Sequence, residues 1–400
     1  MCNYLENKED SMDFSNRLQN LPDQFFAALV AKVSKAADEG RDVINLGQGN
    51  PDQPTPPHIV KAAQEAVADP KTHRYSPFRG LGTLRQAAAD FYKREYGVDI
   101  DPDLEVAILS GTKIGFVELP IALLNPGDSL LLPDPGYPDY LSGAPLADIE
   151  LDLMKLEQSN GYLPNYDDLS ESIRNRAKLM YLNYPNNPTG ATADRPFFDE
   201  TVQFAKENDI AVVHDFAYGG IGFEEQKPVS FLQSEGAKEV GIEMYTLSKT
   251  YNMAGWRIGF AVGNSKMIEA LNLIQDHLFA GIFPAVQLAA AEALSASQAC
   301  VDELVELYEK RRQVLIDECR RIGWNVEAPK GSFFAWLPVP EGFTSVEFSD
   351  YLLDQADIAV AAGSGFGSAG EGFVRVGLLV DEQRIIEAIQ RIEKLGIFTK

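Results

Sequence analysis

The chain has 400 residues, 45% of them hydrophobic and 24% charged, the balance of a soluble globular protein too long for one small core. Its formal net charge is −24, and that acidity argues against a nucleic-acid or anionic-membrane surface, since both need clustered cations. Three scattered cysteines, Cys2, Cys300 and Cys319, make neither a disulfide framework nor a zinc site and fit a reducing cytoplasm. The histidines, His58, His73, His214 and His277, share no metal-ligand spacing, so no metal is expected. The N-terminus is polar and acidic, unlike a signal peptide, and no apolar run reaches membrane-spanning length.

Residues 1–11 read as a loose tail. Apolar spacing from Phe25 to Val33, stopped by Gly40, predicts a helix over 17–40. A short strand at Val43–Leu46 leads into the tight polar loop Gly47–Asp52, and prolines 51, 54, 56 and 57 mark an extended connector. Helices are expected at 58–69 and 82–96. From Glu105 the pattern becomes strand, loop, helix. Strands are expected at Val106–Leu109, Ser129–Leu132, Leu179–Leu182, Ile210–Val213, Val240–Leu247 and Gly255–Gly263, with helices between them, one at 195–208. Short, wholly apolar strands separated by helices predict an α/β fold with a mostly parallel sheet covered on both faces. After Gly263 the chain reads as helical, broken at Phe283-Pro284, with a long charged helix at 301–322. Strands at Trp324–Glu327, Phe333–Leu337, Ile358–Ala361 and Phe373–Val376 then alternate with helices at 345–356 and 382–395. The expected division is an N-terminal segment 1–57, a large domain 58–299 and a small domain 300–400.

The unusual residues fall at strand ends, where open α/β sheets bind ligands. Ser110-Gly111-Thr112-Lys113 opens a helix and offers backbone N–H groups to an anion such as phosphate, or is ordinary helix capping. Lys249 follows an apolar run. It either reaches water or is desolvated, which would lower its amine pKa and suit covalent chemistry with an aldehyde. Asp215 is a helix cap or a partner for a cation at the sheet edge, with Tyr218 three residues on. Alternation turns His214 to the other face. Tyr137 is a rim or core aromatic, and Asn187 sits in a sharp Asn186-Asn187-Pro188 turn. Arg257, eight residues after the lysine, suits phosphate. Arg375 lies inside an apolar strand, where a buried guanidinium requires an anion. A phosphate cradle, a reactive lysine, a carboxylate and a carboxylate-binding arginine together describe a pyridoxal phosphate site.

Asn186–Gly190, Asp215–Tyr218 and Ser248-Lys249 with Arg257, in that order, resemble the class I/II pyridoxal-phosphate aminotransferases of fold type I, over roughly residues 20–400. The resemblance implies roles. Lys249 carries the cofactor and moves the proton; Asp215 pairs with the ring nitrogen. Asn187 and Tyr218 bind the phenolic oxygen, and Tyr137 stacks on the ring. Gly111, Thr112 and Lys113, by their backbone, hold the phosphate with Thr246, Ser248 and Arg257. Tyr75 reaches the phosphate of a partner subunit, making the site a property of a homodimer. Arg375, helped by backbone near Gly47, binds the substrate α-carboxylate.

No arginine lies between Arg257 and Arg311, and Phe279, Ile282 and Phe283 occupy the region where dicarboxylate-specific relatives often place one. A neutral or apolar side-chain pocket is therefore expected. Gln24–Ala27, Val43–Pro56, Phe91–Gly97 and Pro133–Tyr140 look most like methionine-salvage transaminases of the Bacillus type. That likeness implies amination of 2-oxo-4-methylthiobutanoate to methionine, with glutamine a plausible donor. Alternatives on the same fold are a broad aromatic, branched-chain or aspartate-type aminotransferase and a carbon–sulfur β-lyase. A regulator built on a degenerate aminotransferase fold would normally carry a helix-turn-helix ahead of this region, where only a few dozen residues precede Gly47.

Overall fold

The structure is a computed structural model and describes residues 13–398 of the chain. The expected tail, residues 1–11 with Cys2, lies outside the described residues. The strands in chain order are β1 (Ile44–Asn45), β2 (Val106–Leu109), β3 (Ser129–Asp134), β4 (Glu150–Lys155), β5 (Ala177–Asn183), β6 (Ala211–Asp215), β7 (Gly241–Thr246) and β8 (Gly259–Gly263). Seven of them form one sheet in the order β2-β8-β7-β6-β5-β3-β4. The run β4-β3-β5-β6-β7 is parallel, and β8 is antiparallel to both of its neighbours.

All residues of β2, β3, β7 and β8 are buried, as strands covered on both faces must be. One face packs on helices Thr112–Leu123 and Ser265–Leu278 through Phe116, Leu119, Met267 and Leu271. The other packs on helices Gly82–Tyr96, Arg195–Asn208 and Pro284–Ser295 through Phe91, Phe198, Val202 and Leu294. The sheet therefore forms the middle of three layers, with all parallel strands ending at the same edge.

The rest of the chain builds a second, smaller core. Strands β9 (Phe334–Pro338), β11 (Ala361–Ala362) and β12 (Phe373–Gly377) form an antiparallel sheet in the order β11-β12-β9, and β10 (Ile358–Ala359) pairs in parallel with β1. That pairing ties the N-terminal segment to the C-terminal quarter. Helices Ala299–Arg321, Ser345–Ala356 and Glu382–Glu393 supply the apolar cover, including Tyr308, Leu352 and Ile389.

Three expectations are corrected and one strand is added. The helix expected at 17–40 is a single turn at Asn16–Gln19 and a separate helix at Phe25–Asp38, because Pro22 lacks an N–H and its ring blocks helix continuation. The edge strand β4 is missing from the sequence reading; its one-sided burial makes it less apolar than the inner strands. Trp324–Glu327 is not a strand: Trp324 instead donates its indole N–H to Pro338 O at 2.9 Å and stacks on Phe398. The first part of 255–263 is a tight turn, with Arg257 at φ 54°, and the strand starts at Gly259. Lys249 sits on a one-turn helix, Leu247–Thr250. No helix among the described residues is long and apolar enough to cross a membrane.

Candidate active site

Because β3, β5, β6 and β7 run parallel, the segments that follow them converge. They bring Tyr137, Asn187, Asp215, Tyr218, Thr246, Ser248 and Lys249 to one cavity of about 520 Å³, joined there by Gly47, Thr112, Lys113, Arg257 and Arg375. Gly111 lies against the Arg257 guanidinium at its rim. Tyr75 does not join them. It is 89% exposed and lies outside the cavity of its own chain.

One end of the cavity is built for an anion. The helix Thr112–Leu123 starts at Gly111 with no side chain capping its first N–H groups. Gly111 has φ 76°, and a Cβ there would lie 2.2 Å from Arg257 Nη2, so only glycine lets the guanidinium reach the helix start. Thr246 Oγ1 donates to Ser248 Oγ at 2.9 Å and accepts from Ser248 N at 3.2 Å. Arg257 donates to Ala254 O at 3.0 Å and pairs with no carboxylate among the described residues. A free guanidinium, two hydroxyls and a helix N-terminus suit a phosphate. The Lys113 side chain takes no part; its Nζ pairs at 2.8 Å with Asp139, which also accepts from Tyr137 Oη at 2.5 Å.

Two titratable groups face each other across the middle. Asp215 is buried at the end of β6, and burial raises its pKa to about 6 against the opposing effects of Tyr140, His214, the Ala217 N–H and Lys249. Tyr140 Oη donates to Asp215 Oδ2 at 2.5 Å, and Ala217 N to Oδ1 at 3.2 Å. Lys249 Nζ donates to Gly49 O at 2.9 Å. Desolvation lowers its pKa to about 8, with Arg375 and Arg257 pushing the same way and Asp215 opposing. Lys249 is half-buried, with its side chain lining the cavity. His214 turns away as alternation requires, and its Nδ1 meets Glu243 Oε1 at 2.6 Å in the core.

At the far end, Arg375 is 1% exposed. Nη1 donates to Asn187 Oδ1 and Nη2 to Gly47 O, both at 2.9 Å, while Nε has no partner. The rings of Phe334, Phe366 and Phe26 lie 3.9, 4.8 and 5.0 Å from Cζ. Burial lowers the guanidinium pKa to about 10, so it remains charged at neutral pH. Its hydrogen-bond acceptors are neutral and its charge repels that of Lys249, which leaves it ready for an anionic ligand.

Within its own chain the cavity takes its apolar wall from other segments than the one singled out in the sequence. Phe26, Leu29, Val30, Phe116 and Phe334 line the cavity, whereas Phe279, Ile282 and Phe283 do not. Sequence reasoning also misses Tyr140, which follows Tyr137 by one 3-10 turn, and Asn183. Asn183 Nδ2 donates to Asp215 O at 2.9 Å and its Oδ1 accepts from Asn187 N at 2.7 Å, locking the two strand ends together. An asparagine directly behind the apolar run Leu179–Leu182 is the signal that could have found it.

Such a sheet, with a lysine, a carboxylate and an anion cradle at its carboxyl edge, is an α/β transferase architecture of fold type I. Residues 41–392 match the aminotransferase class I and II family; the chain belongs to that family and is an aminotransferase. It is 63% identical over 386 residues to the L-glutamine--4-(methylsulfanyl)-2-oxobutanoate aminotransferase of Bacillus subtilis, covering 96% of this chain and 97% of that protein. It is similar as well to the transaminase BacF of Bacillus subtilis, at 49% identity over 96% of each chain. The substrate-bound BacF structure superposes with a TM-score of 0.94 at 47% identity, covering 96% of this chain and 98% of that one. A Thermus thermophilus aspartate aminotransferase double mutant gives 0.89 at 28% identity, covering 96% and 100%.

Proposed function

We propose that this chain is a pyridoxal-phosphate-dependent transaminase that aminates 2-oxo-4-methylthiobutanoate to L-methionine, with glutamine as donor. One observation carries the reading: a desolvated lysine, a buried carboxylate, an unpaired phosphate-type cradle and an unpaired buried arginine all face one cavity. The cofactor's donor and acceptor groups find matching residues. Arg257, Thr246, Ser248 and the backbone of Gly111, Thr112 and Lys113 would hold its phosphate. Asp215 would hold the ring N–H, and Tyr137 would cover the ring face. When bound, pyridoxal phosphate supplies an aldehyde for the lysine amine and a ring that draws electron density from the substrate Cα.

The chain's own groups do the remaining work. Lys249 Nζ, neutral in part near pH 8, takes the Cα proton. Asp215, ionised above about pH 6 in the free protein, keeps the ring nitrogen protonated. Burial holds the Tyr218 hydroxyl protonated as a donor to the phenolic oxygen. Asn187 gives its Oδ1 to Arg375 and keeps its Nδ2 for the same oxygen. Arg375, oriented by Gly47 O and Asn187, grips the substrate carboxylate. Fixing that group would present the Cα–H bond rather than the carboxylate for cleavage and would favour proton loss over decarboxylation.

The side-chain preference follows from the walls. Phe26, Leu29 and Val30 suit a thioether, and among the described residues the one cavity-lining cation beyond Lys249, Arg257 and Arg375 is Lys113, already neutralised by Asp139. The name of the 63%-identical relative supports the same pair of substrates. We also infer a cytoplasmic homodimer in which exposed Tyr75 serves the partner's phosphate. The division at residues 57 and 299 is supported by the two cores and by the β1–β10 pairing.

The test is the absorbance of purified protein reconstituted with pyridoxal phosphate, followed after adding one amino acid and no oxo acid. A lysine-bound cofactor band should convert faster with L-methionine than with L-aspartate. Faster conversion by aspartate ends the substrate reading, and absence of any band ends the assignment of Lys249.

A further inference from the structure

The carboxylate of Asp134 has no part in the chemistry above, yet it is buried at the end of β3 and makes its side-chain hydrogen bonds to a distant segment. Oδ2 accepts from Ser368 Oγ at 2.7 Å and Oδ1 from Ala369 N at 3.0 Å. Beside it, Gly136 N donates to Phe366 O at 2.8 Å. Gly367, at φ 128°, packs so closely that a Cβ would lie 2.0 Å from Asp134 Oδ1. The edge of the seven-stranded sheet thus grips the turn between β11 and β12.

That turn is held from its other side too. Ser364 N donates to Ser345 Oγ at 3.2 Å, and Ser345 Oγ donates to Glu371 Oε2 at 2.8 Å. Between the two anchors stands Phe366. Its ring packs on Arg375 and on Phe25, Phe26 and Trp336, with centroids 5.4, 5.9 and 5.8 Å away. An aromatic face against a desolvated guanidinium fixes the plane in which it can donate, and a bidentate grip on a carboxylate depends on that plane.

We propose that Asp134 is a positioning residue: by pinning the 363–370 turn it presses Phe366 onto Arg375 and so sets the affinity for carboxylate-bearing substrates. The same β3 end leads directly into Tyr137, so one carboxylate joins the cofactor-facing loop to the substrate-binding wall. This inference rests on Arg375 being the carboxylate site.

The experiment compares L-methionine with 3-(methylsulfanyl)propan-1-amine, which lacks only the carboxylate, as reactants for the reconstituted holoenzyme. Asp134→Ala should raise KM for methionine about tenfold while kcat stays within about twofold. The rate constant for the carboxylate-free amine should not change. Calorimetric affinity for 4-methylpentanoate, a carboxylate that cannot react, should fall by the same factor. Asp134→Asn keeps an acceptor for Ala369 and a polar partner for Ser368, and should restore most of the loss. Should Asp134→Ala fail to fold, Ser368→Ala removes one donor and should shift methionine alone, by about threefold. Equal losses with both amines, or unchanged binding of 4-methylpentanoate, overturn the proposal. Arg375→Lys separates it from the reading beneath it. If Arg375→Lys spares the preference for methionine over the amine, the carboxylate assignment falls and takes this one with it. If Arg375→Lys abolishes the preference and the Asp134 and Ser368 variants do not alter it, the pin alone is wrong.

Discussion

Asp215 is a functional group held at a cost to stability, and that cost is measurable. Its pKa rises from 3.8 to about 6 on folding because burial disfavours the ionised form. The folded state therefore binds a proton more tightly than the unfolded one. The penalty is full above pH 6, shrinks as pH falls, and vanishes below the unfolded value. The difference corresponds to about 3 kcal/mol at neutral pH, and at 6% exposure there is little solvent to screen it. Asp215→Asn removes the charge but offers one acceptor where Tyr140 and Ala217 now find two, a loss of about 1 kcal/mol. The net expectation for cofactor-free protein at pH 7.5 is a gain of about 2 kcal/mol, seen as a midpoint about 2–4 °C higher. At pH 5 the ionisation part of the gain should fall to about half. With pyridoxal phosphate present the order should reverse, since the wild-type carboxylate then faces the ring N–H. Thermal melts of both proteins at the two pH values, with and without cofactor, decide it. A cofactor-free variant that is less stable at pH 7.5, or a gain that is the same at pH 5, refutes the reasoning.

Tyr140→Phe removes the hydrogen bond that favours the ionised form of Asp215, so in cofactor-free protein the Asp215 pKa should rise further and the pH dependence of the melting midpoint should extend to higher pH; an unmoved dependence shows that the bond does not tune the carboxylate. Phe26→Ala strips an aromatic from the cavity wall and from Arg375, and should raise KM for the methylthio oxo acid about tenfold while changing pyruvate less, as steady-state kinetics with the two acceptors would show.

The frame of the molecule is readable from the sequence because its inner strands are extreme. Val106–Leu109, Leu179–Leu182 and Val213 are buried on both faces, so apolar runs mark them without any knowledge of their neighbours. Asp215 and Lys249 stand out for the same reason, each a polar group close behind such a run, and Asn187 by its turn. β4 is hidden because an edge strand needs only one apolar face, and Glu150, Asp152 and Lys155 break its pattern. The helix start at Phe25 is obscured by apolar residues that continue the spacing back past Pro22, although proline chemistry forbids the helix to follow them.

The substrate pocket is harder to read, for a different physical reason. Arg375 is legible as a charge inside a strand, but nothing local says which rings will sheathe it. Phe26 reaches it from an N-terminal helix, Phe334 from β9 and Phe366 from a turn, and the β1–β10 pairing with the packing of Leu29 and Ala36 on Leu353 and Ala359 brings the first of these near the others. Phe279, Ile282 and Phe283, singled out by the absence of arginine near them, lie outside the cavity of their own chain, as Tyr75 does. The same holds for Asp134 and Ser368, which are 234 residues apart, and for Tyr140 and Asp215. An acid buried beside a proline is ambiguous in sequence. It becomes informative once the fold shows that its lone pairs are spent on a turn whose aromatic ring leans on the substrate arginine.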